Sequence, residues 1–589
     1  MGFTGALLLA IVRLASAIPE SPSEDAPLSD DELALLVSLT STAAESDGSS
    51  GDADDEARVS TLARNLAEAL DSQPSMFRTY RGRDHLTLIR DGVRLPVTHG
   101  FGRLRDGWLG LGPGVTRTVR WSDHAVLENG GLGIRATLDG PKAPSEGWTA
   151  TVRTVARTAD RGLGIMGHVG FGQPGRGVIV AGQFDTLPTL RLQSVDGAED
   201  GDRLGNRWSV SFRAIEWDGA IRVGADWTRR GPASIKGPRP QEQNRLDHGL
   251  AFITIGSERL SLTAAYLRDE LQGVGSTSTD RAQATLRSAW TLFPSLSLNT
   301  GIWAQYDDQT FADRKGASLR AEPWLSLLFS AGGFDVELTG KVLAGFVSVD
   351  DARQIEGVRP QAAIVASGPF AGGLGWLIAL QLNSHLPQPW NIPSIVERAS
   401  SFETSWGASA GPVWRSDRSE LKASVFYQRV SDYWARPVVA ISRDTGRFDV
   451  FGVEVDARWR PLKTLDLRIG LAWAEDILED TNLEPVRPAG ALLRGLASIR
   501  YAFAQRGFVE IHARWITDAL PLGDQPRLNI EAGAPVRVGL IGGVELGHGL
   551  SLSVAVENVL DVAYDDPVID RDQVGLDARL ALTFSGGRP

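Results

Sequence analysis

From residue 147 onward the chain alternates apolar and polar residues with a period of two, the pattern of strands whose two faces meet different surroundings. In GVEVDARWR, Val453, Val455, Ala457 and Trp459 share one face, while Glu454, Asp456, Arg458 and Arg460 share the other. Four residues on, in LDLRIGLAW, Leu465, Leu467, Ile469, Leu471 and Trp473 oppose Asp466, Arg468 and Gly470. The same division sets Val509, Ile511, Ala513 and Trp515 against Glu510, His512 and Arg514. It sets Ile221, Val223, Ala225 and Trp227 against Arg222 and Asp226. A two-layer sandwich alternates in the same way, so periodicity leaves both architectures open.

Two further features separate them. Trp459 and Trp473 fall near opposite ends of their hairpin's apolar rows, where the interfacial aromatic girdles of a membrane barrel belong. The connections also alternate in length. Residues 461–464, 504–507 and 547–549 make tight turns, whereas 475–490, 517–535 and 559–573 make long ones, as when one rim faces the periplasm and the other the outside. Counting hairpins back from Phe584 gives about 23 strands, but a closed bacterial barrel has an even number, and the crowded stretch 158–195 is where one is overcounted. The expectation is an all-β fold: a transmembrane antiparallel barrel of about 22 strands over residues 147–584, preceded by a small α+β domain. The last strand, VGLDARLALTF, sets Leu576, Ala578, Leu580, Leu582 and Phe584 on one face, and closure requires it to pair with the first.

The segments before residue 147 read differently. Residues 5–12 (GALLLAIV) followed by Ala15, Ser16 and Ala17 form a secretion signal over residues 1–17, a buried helix being the alternative. Residues 18–58 form an acidic leader too poor in apolar mass to order itself, interrupted by LALLVSLTST at 33–42, which suits strand addition to a partner's sheet. Residues 59–140 carry a helix-like ARNLAEALDS, then LTLIRDGVRLPV, a Gly-rich stretch, VRW and ENGGLGIRATL, the texture of a compact domain.

Composition narrows the function. After the N-terminus no apolar run reaches the length of a membrane helix. A net charge of −12 with no basic stripe counts against nucleic acid, and the absence of cysteine removes thiolate metal sites and cysteine nucleophiles. No GxSxG, HExxH or phosphate-loop pattern occurs, so no catalytic residue and no cofactor is expected. His85, His99, His124, His168, His248, His385, His512 and His548 are scattered without ligand spacing, and no metal site is expected. The acidic loop with Glu475, Asp476, Glu479, Asp480 and Glu484 reads as a solvated face rather than a calcium loop. Arg153, Arg213, Arg222, Arg458, Arg468 and Arg514, interleaved with Asp226, Asp456 and Glu510, read as a salt-bridged inner wall, with steering of an anionic ligand the alternative.

Several stretches resemble those of the TonB-dependent receptors. VAVENVLDVAY carries Glu557, Asn558, Asp561 and Tyr564 in the pattern of that family's penultimate strand, with Phe584 ending the last one. FGVEVDARWR, with Gly452 and Glu454, resembles its Gly-x-Glu hairpin, and LPQPWNIPSIVERASSFETSWGA its Pro-containing loop. The compact domain resembles a shortened, degenerate plug: Arg81 and Gly82 match an Arg-Gly step, Asp91 and Gly92 an Asp-Gly turn, and Gly130, Gly131 and Gly133 the closing Gly-rich strand. VRWSDHA stands where the family has an acidic residue and Gly-Pro.

The resemblance implies an outer-membrane receptor that binds a scarce small ligand, such as a metal chelate or saccharide, and imports it through the plugged barrel. TonB would be the energising partner, contacting Leu36, Val37, Ser38, Leu39 and Thr40, with both termini periplasmic. A passive porin-like channel or surface receptor is the alternative. A soluble propeller is disfavoured because no repeat of about 40 to 50 residues is present.

Overall fold

The computed structural model describes residues 55–58, 87–91, 93–95, 118–122 and 135–139, and from 142 to 588 all residues except 159–160, 187–190, 195–196, 201–205, 218, 232, 236–240, 258, 274–276, 312–313, 351, 387–401, 434–445, 480–490, 504–506, 517–535, 563–564, 567–570 and 575. The signal, the leader up to residue 54 and ARNLAEALDS lie outside the described residues.

The alternating segments close into one antiparallel barrel of 22 strands. These are β1 (Gly147–Arg157), β2 (Leu163–Gln173), β3 (Arg176–Asp185), β4 (Arg207–Glu216), β5 (Ile221–Arg230, continued by Ala233–Ile235), β6 (Gln241–Gly256), β7 (Leu260–Gly273) and β8 (Thr277–Phe293). Next come β9 (Leu296–Phe311), β10 (Arg314–Ala331), β11 (Phe334–Val349), β12 (Ala352–Ala371), β13 (Leu374–His385), β14 (Glu403–Ser416) and β15 (Ser419–Tyr433). The remainder are β16 (Gly446–Leu462), β17 (Leu465–Glu479), β18 (Ala491–Phe503), β19 (Gly507–Ile516), β20 (Val536–Gly547), β21 (Leu550–Glu557) and β22 (Asp577–Arg588). In the crowded stretch an additional short strand, Arg191–Ser194, pairs outside the barrel, in a small sheet with Gly197–Asp200 and Arg571–Val574. That sheet joins the two long connections flanking the seam.

Closure follows from β22 pairing with β1, Arg579 opposite Arg157 through to Arg588 opposite Trp148. The strand runs four residues beyond Phe584. Its apolar face points outward, with Leu580, Leu582 and Phe584 exposed. Outward rows elsewhere are equally apolar, while buried positions of the same strands are charged or polar, as with Arg153, Asp226, Glu322, Lys341 and Glu454. An inverted arrangement of this kind, apolar outside and polar within, suits a hydrocarbon surround.

Aromatic residues border the outward apolar rows at both ends. Trp459 lies opposite Ser419 and Trp406 opposite Arg429, so these two exposed indoles stand at the ends of a ten-step stretch of β15. Ten steps are roughly 33 Å of strand and, at a tilt near 40°, a band about 25 Å tall. Trp473 lies on the outward row as well and packs edge-on against Phe451 at 5.6 Å.

The alternation of short and long connections breaks in one sector. Between β7 and β8, β9 and β10, and β11 and β12, the connections on the long-loop rim are as short as those on the opposite rim. There the strands themselves are long, 14 to 20 residues from β7 to β12, so tightly turned hairpins rise where loops stand elsewhere.

The N-terminal part contributes a five-stranded sheet in the order Asp55–Arg58, Thr118–Ser122, Arg135–Asp139, Thr87–Arg90, Val93–Leu95. It takes in Asp55–Arg58, which composition alone assigns to the acidic leader. Its last two strands form a hairpin that reaches the barrel lumen.

Candidate functional site

The hairpin is encoded locally. Thr87–Arg90 and Val93–Leu95 are joined by Asp91-Gly92, with Arg90 opposite Val93 and Leu88 opposite Leu95. Asp91 has φ of 52°, the left-handed conformation that a two-residue turn of the mirror-image type demands and that Asp followed by Gly supplies at low cost. Ile89, Arg90, Val93, Arg94 and Leu95 are all buried.

Two arginines of this hairpin enter ion pairs with the barrel wall. Arg90 Nε stands 2.6 Å from Asp226 on β5, and Arg213 on β4 donates to the same carboxylate at 2.7 and 3.0 Å. Arg213 also donates from Nε to Asp91 at 2.9 Å. Arg90, Asp226, Arg213 and Asp91 therefore form a closed circuit of alternating charge across hairpin and wall. Such pairs persist away from water only because each charge meets an opposite one.

The second arginine is held by a different chemistry. Arg94 lies over the Trp303 ring, 3.9 Å from guanidinium carbon to ring centre, a cation–π contact shielded from water because Trp303 is 1% exposed. Its Nη2 is 3.6 Å from Glu322, which pairs in turn with Lys341. The backbone is gripped too: Arg94 N donates to Gln283 Oε1 at 3.1 Å, and Gln283 Nε2 donates to Arg94 O at 2.6 Å. One glutamine side chain thus pairs with the hairpin's outer strand as a neighbouring strand would.

Nearer the long-loop rim the inner wall is stapled to itself. Asp185 on β3 accepts from Arg157 on β1 at 3.1 Å and from Arg207 on β4 at 2.7 and 3.0 Å. Arg281 and Asp307 join β8 to β9, with Ser318 of β10 donating to the same aspartate at 3.2 Å. Among the expected inner-wall arginines, Arg468 pairs with Asp456 at 2.7 Å and Arg458 with Asp466, while Arg213 touches the hairpin.

The barrel motif residues form two structural sites. At Gly452 a Cβ would meet Trp473 O at 2.2 Å and the Phe426 ring at 2.6 Å, because Phe426 lies cross-strand over this position. Glu454 is buried on the inner face of the same strand. At the end of β21, Glu557 pairs with His512 at 3.0 Å. Asn558 exchanges two hydrogen bonds with the Val562 backbone, at 3.0 and 3.1 Å, and Asp561 Oδ1 accepts from Leu576 N at 2.8 Å. Both Asn558 and Asp561 have positive φ, at 51° and 49°. This turn folds the chain back toward β22. Phe584 is on the outward face near the tight-turn rim.

Leu36, Val37, Ser38, Leu39, Thr40, Arg81, Gly82, Gly92, Gly130, Gly131, Gly133 and Tyr564 lie outside the described residues. The sequence singled out Asp91, Arg213 and Asp226 but not Arg90, Arg94, Gln283, Trp303, Glu322 or Lys341. Arg90 and Arg94 were visible only as charges inside a short apolar hairpin, which is itself a signal that buried partners await them. Among the described residues no cluster of three His, Asp or Glu side chains gathers to hold a metal ion, and no helix is long and apolar enough to cross a membrane.

A closed barrel of 22 strands holding an N-terminal hairpin is the fold of the TonB-dependent receptors. Solved structures of that class superpose on most of the chain. The FrpB iron transporter from Neisseria meningitidis (F3-3 variant) matches with a TM-score of 0.75 at 13% identity, covering 91% of this chain and 100% of its own. The copper transporter OprC matches with a TM-score of 0.73 at 12% identity, covering 89% and 96%. The siderophore receptor PirA from Pseudomonas aeruginosa matches with a TM-score of 0.67 at 12% identity, covering 91% and 100%. These likenesses are of fold. No family model matches the sequence, and no curated protein is similar to it.

Proposed function

We propose that the chain is an outer-membrane receptor-transporter that takes up a scarce ligand, such as a metal chelate or a saccharide, through a barrel occluded by its own N-terminal domain. The observation that carries this reading is the hairpin in the lumen. A simple pore gains nothing from pairing Arg90 with Asp226 and Arg94 with Glu322 across the channel. A gated transporter needs such a removable obstruction, and ion pairs form one that a mechanical pull can break. The neighbours of the same fold include an iron transporter, a copper transporter and a siderophore receptor, which supports import without naming this chain's ligand.

On this reading residues 1–17 are a secretion signal, and both termini are periplasmic. TonB of the inner-membrane energising complex engages Leu36, Val37, Ser38, Leu39 and Thr40 by strand addition. Residues 59–140 act as a compact plug, and residues 81–82, 91–92 and 130–133 are its turn and strand motifs. Deleting residues 33–41 should abolish uptake of the ligand while leaving the barrel assembled, as judged by heat-modifiable gel migration. Unchanged uptake would contradict energised transport and favour a passive channel.

A further inference from the structure

We propose that strand Val93–Leu95 is the first part of the hairpin to leave the wall, because the wall opposes Arg94 with an excess of positive charge. The two ends of the hairpin meet unlike surroundings. At the turn, Arg90 and Arg213 face Asp226 and Asp91, two charges of each sign. Along Val93–Leu95, Arg94 joins Arg281 of β8, Asp307 of β9, Arg320 and Glu322 of β10 and Lys341 of β11. Among the described residues four cations meet two carboxylates in this cluster, and none of the six is more than 8% exposed.

Both carboxylates are already taken. Asp307 accepts from Arg281 at 2.5 and 3.2 Å, from Gln305 Nε2 at 2.6 Å and from Ser318 at 3.2 Å. Glu322 pairs with Lys341, and Arg94 stands off at 3.6 Å with neither Nε nor Nη2 in a hydrogen bond. Arg320 forms no ion pair among the described residues and donates to Leu386 O at 2.9 Å. Like charges repel most where water cannot screen them. The wall alone sets three of these cations against two carboxylates, so docking Arg94 raises the excess from one to two. Trp303 beneath the guanidinium and Gln283 on the backbone offset that repulsion. Arg90 meets none of it. Val93–Leu95 is moreover the last strand of its sheet, paired only with Thr87–Arg90, which itself is paired on both sides.

The inference deepens the import reading by naming which end of the obstruction gives way first. Lys341→Met is the discriminating substitution. In a balanced buried pair, removing one partner weakens the assembly. Here it leaves Glu322 to Arg94 and lowers the excess, so docking should tighten. Amide exchange of the full chain in detergent, resolved between residues 88–90 and 93–95, reads the effect. Heat-modifiable migration verifies that each variant is a closed barrel, and Arg320→Met, judged by the same outcomes, replaces Lys341→Met if that variant fails to assemble.

In the wild type, residues 93–95 should exchange faster than residues 88–90. Lys341→Met should slow exchange at 93–95 about tenfold and Glu322→Gln should speed it about tenfold, both leaving 88–90 within about twofold of the wild type. Lys341→Arg keeps the charge and should match the wild type. Exchange at 93–95 that is unchanged or faster in Lys341→Met, unchanged or slower in Glu322→Gln, or slowed as much by Lys341→Arg would overturn the proposal. A change shared equally by both segments, or a wild type in which 93–95 is no faster, would mean that the hairpin leaves as one unit and would overturn it as well. Exchange requires neither ligand nor energy source, so unchanged uptake on deleting residues 33–41 would contradict the import reading and leave this result standing.

Discussion

Single side chains decide whether the hairpin stays in the lumen. Asp226 receives Arg90 from the hairpin and Arg213 from the wall, so Asp226→Ala takes the close partner from the buried Arg90 and leaves Asp91 alone to serve both guanidiniums. Removing one partner from a buried pair costs about 3 to 5 kcal/mol. Amide exchange should accordingly accelerate in residues 87–95 of that variant while the barrel strands stay protected; uniform protection would mean that the circuit does not hold the hairpin. Arg94→Ala should loosen the hairpin less, because Gln283 bonds the backbone and not the side chain at that position. Gly452 belongs to the barrel instead. Gly452→Leu drives a side chain into the Trp473 carbonyl and the Phe426 ring, so it should lower the thermal unfolding temperature with no change in hairpin exchange. An unaltered melting temperature would show that the close approach at Gly452 is readily relieved.

At the scale of strands, the sequence was most legible where chemistry repeats. A strand with hydrocarbon on one side and charged lumen on the other must alternate, and Val453, Glu454, Val455 and Asp456 do so without exception. The ambiguity at 158–195 arose because Arg191–Ser194 has strand character but pairs with the connection after β21 rather than in the barrel, a choice set by residues nearly four hundred positions away. The hairpin's partners were hidden for the same reason. Asp226 is 136 residues from Arg90, and Gln283 is 189 from Arg94, so no local spacing could announce them. What was legible was the Asp-Gly turn, because it depends on two adjacent residues. The seam offers a test at this scale. Removing residues 585–589 takes away the pairing of Ser585, Gly586, Gly587 and Arg588 with Thr151, Ala150, Thr149 and Trp148. The truncated barrel should lose its compact gel migration at a lower temperature than the full chain; identical transitions would show that closure ends at Phe584.

For the molecule as a whole, a closed barrel of 22 strands holds an obstruction, the hairpin, fixed inside it by charge. The barrel follows from alternation and from the pairing of β22 with β1. The obstruction follows from two arginines, neither of which has any use for a wall carboxylate in an open pore. The most direct test is single-channel recording of the purified full chain in planar bilayers, beside a variant carrying Asp226→Ala and Glu322→Ala. The account predicts a nearly silent wild type, and a double variant with frequent large openings as the hairpin leaves the wall. A wild type that conducts steadily, or a double variant as silent as the wild type, would contradict it.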